Sequence, residues 1–256
     1  MINKEKNLDR AIILLLAVLT IVVTYNQVQI NGISKLSLTG FAVATNNDIN
    51  SAANNIQTAG SVIPTGVPNI YGNELGVSYD DISPYDQSKA DLTIRRLAYL
   101  DQNIELNQQE LQRYINIGLK ISCEYCCGAN SIIFTEDEIK RIDEQVDAAI
   151  QSGKITEEQA LNYRRNPGEA ACGCAHSYAM RGVAKYIIKN HGNEFSDDEV
   201  LEELAKWKTL FFPSQMESKA RILKENGIEF SYINLGSNKY RGIEQGQAGS
   251  GMVGGC

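Results

Sequence analysis

The chain opens with its longest apolar run. Residues 11–23, AIILLLAVLTIVV, follow a charged tip that contains Lys4, Lys6 and Arg10. The next residues extend this run to about the 20 positions that a helix needs to cross about 30 Å of hydrocarbon. The pattern predicts a cytoplasmic tip and transmembrane anchor over residues 1–30. A cleaved signal peptide and a buried core helix are the alternatives.

Residues 31–70 show neither helical nor strand periodicity and are rich in Asn, Ala, Ser, Thr and Gly. Such a segment buries too little apolar surface to offset its ordering entropy, which predicts a flexible stalk. Lys35 is the only basic residue between positions 24 and 88. Because basic residues favour the cytoplasmic side, we expect a single-pass cell-membrane protein with a cytoplasmic N-terminus and its bulk outside.

Helical patterns dominate residues 71–245. Apolar residues at helical spacing predict two helices, near residues 90–97 and 111–119, that are joined at about residues 105–107. Four capping boxes of the form S/T-x-x-E/Q precede further apolar runs. They pair Thr135 with Glu138, Thr156 with Gln159, Ser196 with Glu199, and Ser214 with Glu217.

The period changes near the end of this region. The segment GIEFSYINLGSNKY, residues 227–240, alternates in the manner of a strand followed by a turn. The predicted fold is therefore mainly α, a single helical ectodomain with a small C-terminal β element behind the anchor. Residues 246–256 are rich in glycine and end on Cys256, which predicts a flexible tail.

Charge narrows the range of partners. The chain carries a net charge of −7, and residues 1–30 hold three basic and two acidic groups, so the remainder carries about −8. An acidic ectodomain is a poor match for nucleic acid, whose binding depends on cationic contacts to phosphate. We therefore expect no nucleic acid among the partners, and the membrane as a partner of the N-terminal apolar run.

The candidate chemistry lies in two cysteine clusters, CEYCC at residues 123–127 and CGCAH at residues 172–176. Thiolate sulfur and imidazole nitrogen are the ligands that select soft metal ions such as Zn and Cu(I). The predicted metal ligands are Cys123, Cys126, Cys127, Cys172, Cys174 and His176.

The flanking patterns predict how these clusters meet. The first cluster follows a helix that ends near Ile121, where the carbonyl end of the helix opposes ionisation of Cys123. The second precedes a helix whose positive end favours the thiolates of Cys172 and Cys174. His176 lies on the apolar face of that helix. The segment between the clusters has a helix, turn, helix, breaker order that returns the chain, so sulfur atoms of both clusters should lie within about 4 Å.

Five thiols and one imidazole exceed a single tetrahedral site. The surplus indicates a two-metal cluster, a disulfide beside a metal, or three disulfides that include Cys256. The leading function is a membrane-anchored extracytoplasmic protein that binds a soft metal ion. The alternatives are a disulfide-stapled envelope interaction module without chemistry at the cysteines, and a thiol–disulfide oxidoreductase. No catalytic triad, phosphate loop or dinucleotide fingerprint is present, which favours a binding protein over an enzyme.

The CGC run of Cys172, Gly173 and Cys174 resembles a family of extracytoplasmic bacterial proteins with a PCYCGC motif. The resemblance covers the CGC run and loosely the CEYCCG run, without the preceding Pro and Tyr. It implies an extracytoplasmic cysteine-rich site and transfers no mechanism.

Overall fold

A computed structural model describes residues 62–244 and 252–254. Within these ranges the chain forms nine α-helices and two short 3₁₀ turns, which confirms the prediction of a mainly α fold. The helices are α1 (Tyr71–Leu75), α2 (Gln87–Asn103), α3 (Gln108–Gly118), α4 (Glu136–Gln151), α5 (Glu157–Ala160), α6 (Ala175–His191), α7 (Asp197–Phe211), α8 (Pro213–Glu225) and α9 (Tyr232–Gly236). The 3₁₀ turns are Tyr79–Asp81 and Asn238–Tyr240.

The predicted anchor lies outside the described residues, as do most of the stalk and most of the tail. Among the helices that are described, none combines the length and the apolar character needed to cross a bilayer.

Three of the four predicted capping boxes are present. The side chains of Thr135, Thr156 and Ser196 each accept a hydrogen bond from the third backbone N–H of their helix. The fourth prediction is wrong, because α8 begins at Pro213, two residues before the start that a Ser214 cap would give. Proline has a backbone angle suited to the first helical position, and Ser214 therefore lies inside the helix.

The predicted C-terminal β element is also wrong. Residues 232–236 form α9, which the Ser231 hydroxyl caps by accepting a hydrogen bond from the Asn234 amide at 3.0 Å. Gly236 packs so tightly on α7 that an added Cβ would lie 2.5 Å from the Cβ of Ala205. A local cap and this close approach outweigh the alternating pattern. Only a single antiparallel bridge remains here, between Ile121 and Ser237.

The core forms where α2, α6 and α7 meet. At Gly182 of α6, an added Cβ would lie only 1.9 Å from the Leu97 carbonyl oxygen of α2, so the two helices pack backbone to backbone. Trp207 and Phe211 of α7 are fully buried against this pair. The start of α6 is consequently held in the interior, together with the second cysteine cluster.

The N-terminal part of the described chain is also packed. Pro64 and Pro68 are buried, and Val62 and Ile63 contact the core. Tyr71 of α1 donates a hydrogen bond from its hydroxyl to Glu203 of α7 at 2.6 Å. The folded unit thus includes residues upstream of Tyr71, because these few apolar side chains find buried positions.

The segment that contains α4 and α5 leaves the core and returns to it. Its two ends are joined by an antiparallel bridge between Ile133 and Ala170. The Phe134 amide donates to the Glu169 carbonyl at 2.9 Å, and the Ala171 amide donates to the Ile132 carbonyl at 3.3 Å. This closure brings the two cysteine clusters to the same place.

Candidate metal and thiol centre

Sulfur atoms of the two clusters meet inside the protein. Cys127 and Cys172 form a disulfide, and the Sγ atoms of Cys123 and Cys174 lie 3.3 Å apart. The prediction that the clusters join is confirmed. We call Cys123, Cys174 and His176 the sulfur site, and the Cys127–Cys172 disulfide lies directly beside it.

Cys174 is the N-cap residue of α6. Its Sγ accepts a hydrogen bond from the Ser177 amide at 3.3 Å, as the oxygen of a serine cap would. Hydrogen bonds from Cys123, His176 and this amide lower the pKa of Cys174 to about 5, against the opposing effect of burial. Cys174 is thus a thiolate at neutral pH, as its position at a helix start predicts.

Cys123 remains a thiol. Its pKa is raised well above the ordinary value of 9.0, chiefly because it donates a hydrogen bond to Cys174 and because it is buried. The predicted cause, the carbonyl end of the preceding helix, is wrong, since α3 already ends at Gly118. The predicted thiolate at Cys172 is also wrong for this state, because that sulfur belongs to the disulfide.

His176 points inward as its helical position predicts, and it is fully buried. Its Nε2 lies 2.8 Å from the Val253 carbonyl oxygen. A carbonyl oxygen can only accept, so Nε2 carries a proton and donates it to this hydrogen bond. The rings of Phe211 and Phe212 lie 4.9 and 5.0 Å from the imidazole, centroid to centroid.

The predicted ligands separate into two overlapping groups. The ligand atoms of Cys123, Cys126, Cys174 and His176 all lie within 4.8 Å of one another, and so do those of Cys127, Cys172 and Cys174. Cys126 is disulfide-bonded in this state, as are Cys127 and Cys172. Cys123 and Cys174 are therefore the free thiols among the described residues.

Buried cations lie beside the sulfur site. Lys208 and Lys219 are fully buried, and both face the Glu124 carboxylate, with Nζ to Oε1 distances of 2.9 and 3.6 Å. Arg241 approaches the other oxygen at 3.3 Å. Three cations surround one carboxylate, and Lys208 acts electrostatically on Cys123. The nearby charge of Lys208 therefore favours anionic sulfur in the site.

Sequence analysis missed this charged group. Lys208 is fully buried, in a position that normally holds an apolar side chain. This burial lowers its pKa to about 8. The signal was in the helix pattern, because Leu204, Lys208 and Phe211 fall on one face of α7. Glu124 lies within the CEYCC run itself, between Cys123 and Cys126.

Val253 was likewise missed as part of the site. Its side chain is buried, and its amide donates to the Phe211 carbonyl at 2.9 Å while its own carbonyl binds His176. At Gly254 an added Cβ would lie 2.2 Å from the Cδ1 of Ile94, so the backbone there passes directly over α2. Residues 252–254 therefore cover the imidazole side of the sulfur site.

Comparison with known proteins identifies no relative. No protein-family model, no curated protein and no solved structure matches this chain. A function for it must come from the chemistry of the sulfur site.

Proposed function

We propose that this chain is a membrane-anchored extracytoplasmic protein that binds one soft metal ion through Cys123, Cys174 and His176. The observation that carries the proposal is the burial of two unbonded sulfur atoms and one imidazole within 4.8 Å of one another. Two thiolates on one zinc-sized ion lie about 3.8 Å apart, close to the 3.3 Å between these sulfur atoms.

The surroundings of His176 suit a metal ligand. An imidazole that binds a metal through one nitrogen usually donates its other N–H to a backbone carbonyl or a carboxylate, which fixes its orientation. The Nε2 contact to Val253 supplies that bond, so Nδ1 is the nitrogen that would bind the metal. Three protein ligands leave a tetrahedral ion one open position, and they complete a trigonal one.

Charge favours Cu(I) over Zn(II). Two thiolates and a neutral imidazole form a neutral complex with Zn²⁺ and a complex of charge −1 with Cu⁺. The adjacent buried Lys208 stabilises the anionic complex more strongly, because the interaction takes place in a buried region of low dielectric. Zn remains the alternative ion for the same ligands.

The apolar run behind a basic tip supports anchoring, and the scarcity of basic residues after it supports an extracytoplasmic location. The Cys127–Cys172 disulfide agrees with an oxidising compartment, where such bonds persist. In this proposal the disulfide holds the two clusters together while the sulfur site binds the ion.

The test is elemental analysis with a free-thiol count on anaerobically purified full-length protein, supplied with Cu(I) or Zn(II). We expect about one ion per chain, and at least a tenfold loss of metal affinity in Cys174→Ser and in His176→Gln. His191→Gln is the matched control, because His191 is the chain's other histidine and lies at the far end of α6. Free thiols without bound metal, even after both ions are supplied, would end the proposal.

A second candidate is thiol–disulfide exchange, which one specific distance favours. The Cys174 sulfur lies within 4.8 Å of the sulfur atoms of both Cys127 and Cys172. Attack by the Cys174 thiolate would form a new disulfide with Cys172 and release Cys127 as a thiolate, without net oxidation. Mass-spectrometric mapping after alkylation of free thiols distinguishes the candidates. Peptides that join Cys174 to either partner indicate exchange, and an intact Cys127–Cys172 pair in a metal-bound protein excludes it.

A further inference from the structure

Cys126 lies close enough to the sulfur site to serve as a fourth ligand. Its Sγ lies within 4.8 Å of the ligand atoms of Cys123, Cys174 and His176. Thiolates that bind one zinc-sized ion lie about 3.8 Å apart, so a sulfur shift of about 1 Å completes a tetrahedral set. Three thiolates and one imidazole are a standard ligand set of structural zinc sites.

The backbone holds Cys123 and Cys126 in a tight turn. The Cys126 amide donates a hydrogen bond to the Cys123 carbonyl oxygen at 3.3 Å, and the Cys127 amide donates to the same oxygen at 3.4 Å. Two cysteines with two residues between them have the usual spacing of paired zinc ligands. The turn therefore places two of the four ligand atoms before any metal binds.

The oxidation state of Cys126 decides whether it can act as a ligand. In the structure Cys126 is disulfide-bonded, and a metal ligand must be a thiolate, so three ligands of the group are available in this state. Cys126 is half-buried, whereas Cys123 is fully buried. An external thiol that approaches this group therefore meets the Cys126 disulfide first.

The charge of a four-ligand zinc complex suits the surroundings of the site. Zn²⁺ with three thiolates and a neutral imidazole carries a charge of −1, which is also the charge of Cu⁺ with two thiolates and the imidazole. Lys208, which is fully buried and acts electrostatically on Cys123, stabilises either complex. Cu⁺ in the four-ligand set would carry −2, and burying the additional charge is costly. The fourth ligand therefore strengthens the binding of Zn(II) in particular.

We propose that an external dithiol converts the sulfur site into a four-ligand zinc site by reducing the disulfide of Cys126. The dithiol transfers two electrons and two protons and closes its own disulfide, while Cys126 and its partner cysteine become thiols. Zinc then displaces the protons of the Cys123 and Cys126 thiols to solvent. This inference rests on the proposed function, because Cys123, Cys174 and His176 remain ligands in both states.

The test compares proteins in which every disulfide has been reduced. Full-length wild type, Cys126→Ser and Cys127→Ser are treated with dithiothreitol, freed of it by anaerobic gel filtration, and titrated with Zn(II) against a competing chelator. We expect at least about tenfold weaker zinc binding in Cys126→Ser than in wild type, because the loss of an outer-shell partner alone costs about 10–100-fold. Cys127→Ser is the matched control and should keep the wild-type affinity, since Cys127 is exposed and lies outside the four-ligand group.

A second measurement needs no variant. X-ray absorption at the zinc edge should count three sulfur neighbours and one nitrogen neighbour in the reduced, zinc-loaded wild type. If Cys126→Ser does not fold, this count decides.

The outcomes separate this inference from the proposed function. Equal zinc affinity of reduced wild type and Cys126→Ser, an equal loss of affinity in Cys127→Ser, or two sulfur neighbours in the reduced wild type would overturn the four-ligand site. Each of these results leaves the three-ligand site in place. If the wild type binds neither Cu(I) nor Zn(II), untreated or reduced, the proposed function fails and the four-ligand site fails with it.

Discussion

Single residues join distant parts of this chain, and His191 is an example outside the sulfur site. Its Nε2 contacts the Glu74 carboxylate of α1 at 2.8 Å, and its Nδ1 contacts Glu194 at 2.8 Å. The hydrogen bond to Glu194, followed by that to Glu74, raises the pKa of His191 above its ordinary 6.5. The bond from His191 lowers the pKa of Glu74 below its ordinary 4.5.

These shifts make the contact between α1 and the end of α6 dependent on pH. A raised histidine pKa stabilises the fold fully below about 6.5, and this contribution is lost as pH rises through the folded value. A lowered carboxyl pKa contributes above about 4.5 and is lost as pH falls through the folded value. The contact should therefore stabilise most between about pH 4.5 and 6.5.

We expect Glu74→Gln to lower the melting temperature most at about pH 5.5 and progressively less toward pH 8. Melting curves of the wild type and the variant, recorded across this range, measure the effect. Asp137→Gln, in the exposed first turn of α4, provides a control for the loss of one carboxylate. A difference between wild type and Glu74→Gln that does not change with pH would contradict the assigned pairing.

At the scale of elements, helix starts depend on which side chain occupies the cap position. Thr135 caps α4 through its hydroxyl, whereas Ser214 has the same sequence signature and lies inside α8. We expect Thr135→Ala to lower the free energy of unfolding by about 1 kcal/mol. Ser214→Ala should change it by less than about 0.5 kcal/mol, because an exposed helical serine makes no cap. Urea denaturation of both variants measures these changes. Equal losses of unfolding free energy would contradict the assignment of Thr135 as a cap and of Ser214 as a residue inside the helix.

The helices also show which structural features local sequence patterns can predict. Local signals such as the Thr156 box and the spacing around Leu97 predict helices correctly, because caps and helical periodicity act within one or two turns. The alternation around Phe230 misleads, since the decisive contact is Gly236 on Ala205 of α7, which no local pattern contains. When the conformation of an element depends on a distant neighbour, it cannot be predicted from the sequence of that element alone.

In the candidate site, too, the features set by nearby residues were predictable and those set by distant residues were not. The meeting of Cys123 with Cys174 was predictable, because the segment between the clusters carries its own turn and breaker signals. The carbonyl of Val253 was not, since any residue could supply it and its role comes only from the three-dimensional fold. Local sequence patterns therefore predict which cysteines and which histidine come together, but not the groups that surround them.

At the scale of the whole molecule, the domain boundary can be tested with two fragments. A fragment of residues 62–256 should fold without the N-terminal apolar run, because the described core draws on residues from Val62 onward. A fragment of residues 71–256 loses the buried Pro64 and Pro68 and the packed Ile63. We expect the shorter fragment to be less stable by about 2–4 kcal/mol in urea denaturation. Equal stability would place the boundary at Tyr71.

The position of Val253 far along the chain has a consequence for biosynthesis. A ribosome makes the cysteines of residues 123–127 and 172–174 well before the residue that covers His176, which lies 77 positions after that histidine. During this interval nothing covers His176, and Cys123 and Cys174, which end only 3.3 Å apart, can form a disulfide with each other if the chain meets an oxidant. The order of synthesis therefore leaves the cysteine pair uncovered until the last residues of the described chain are made.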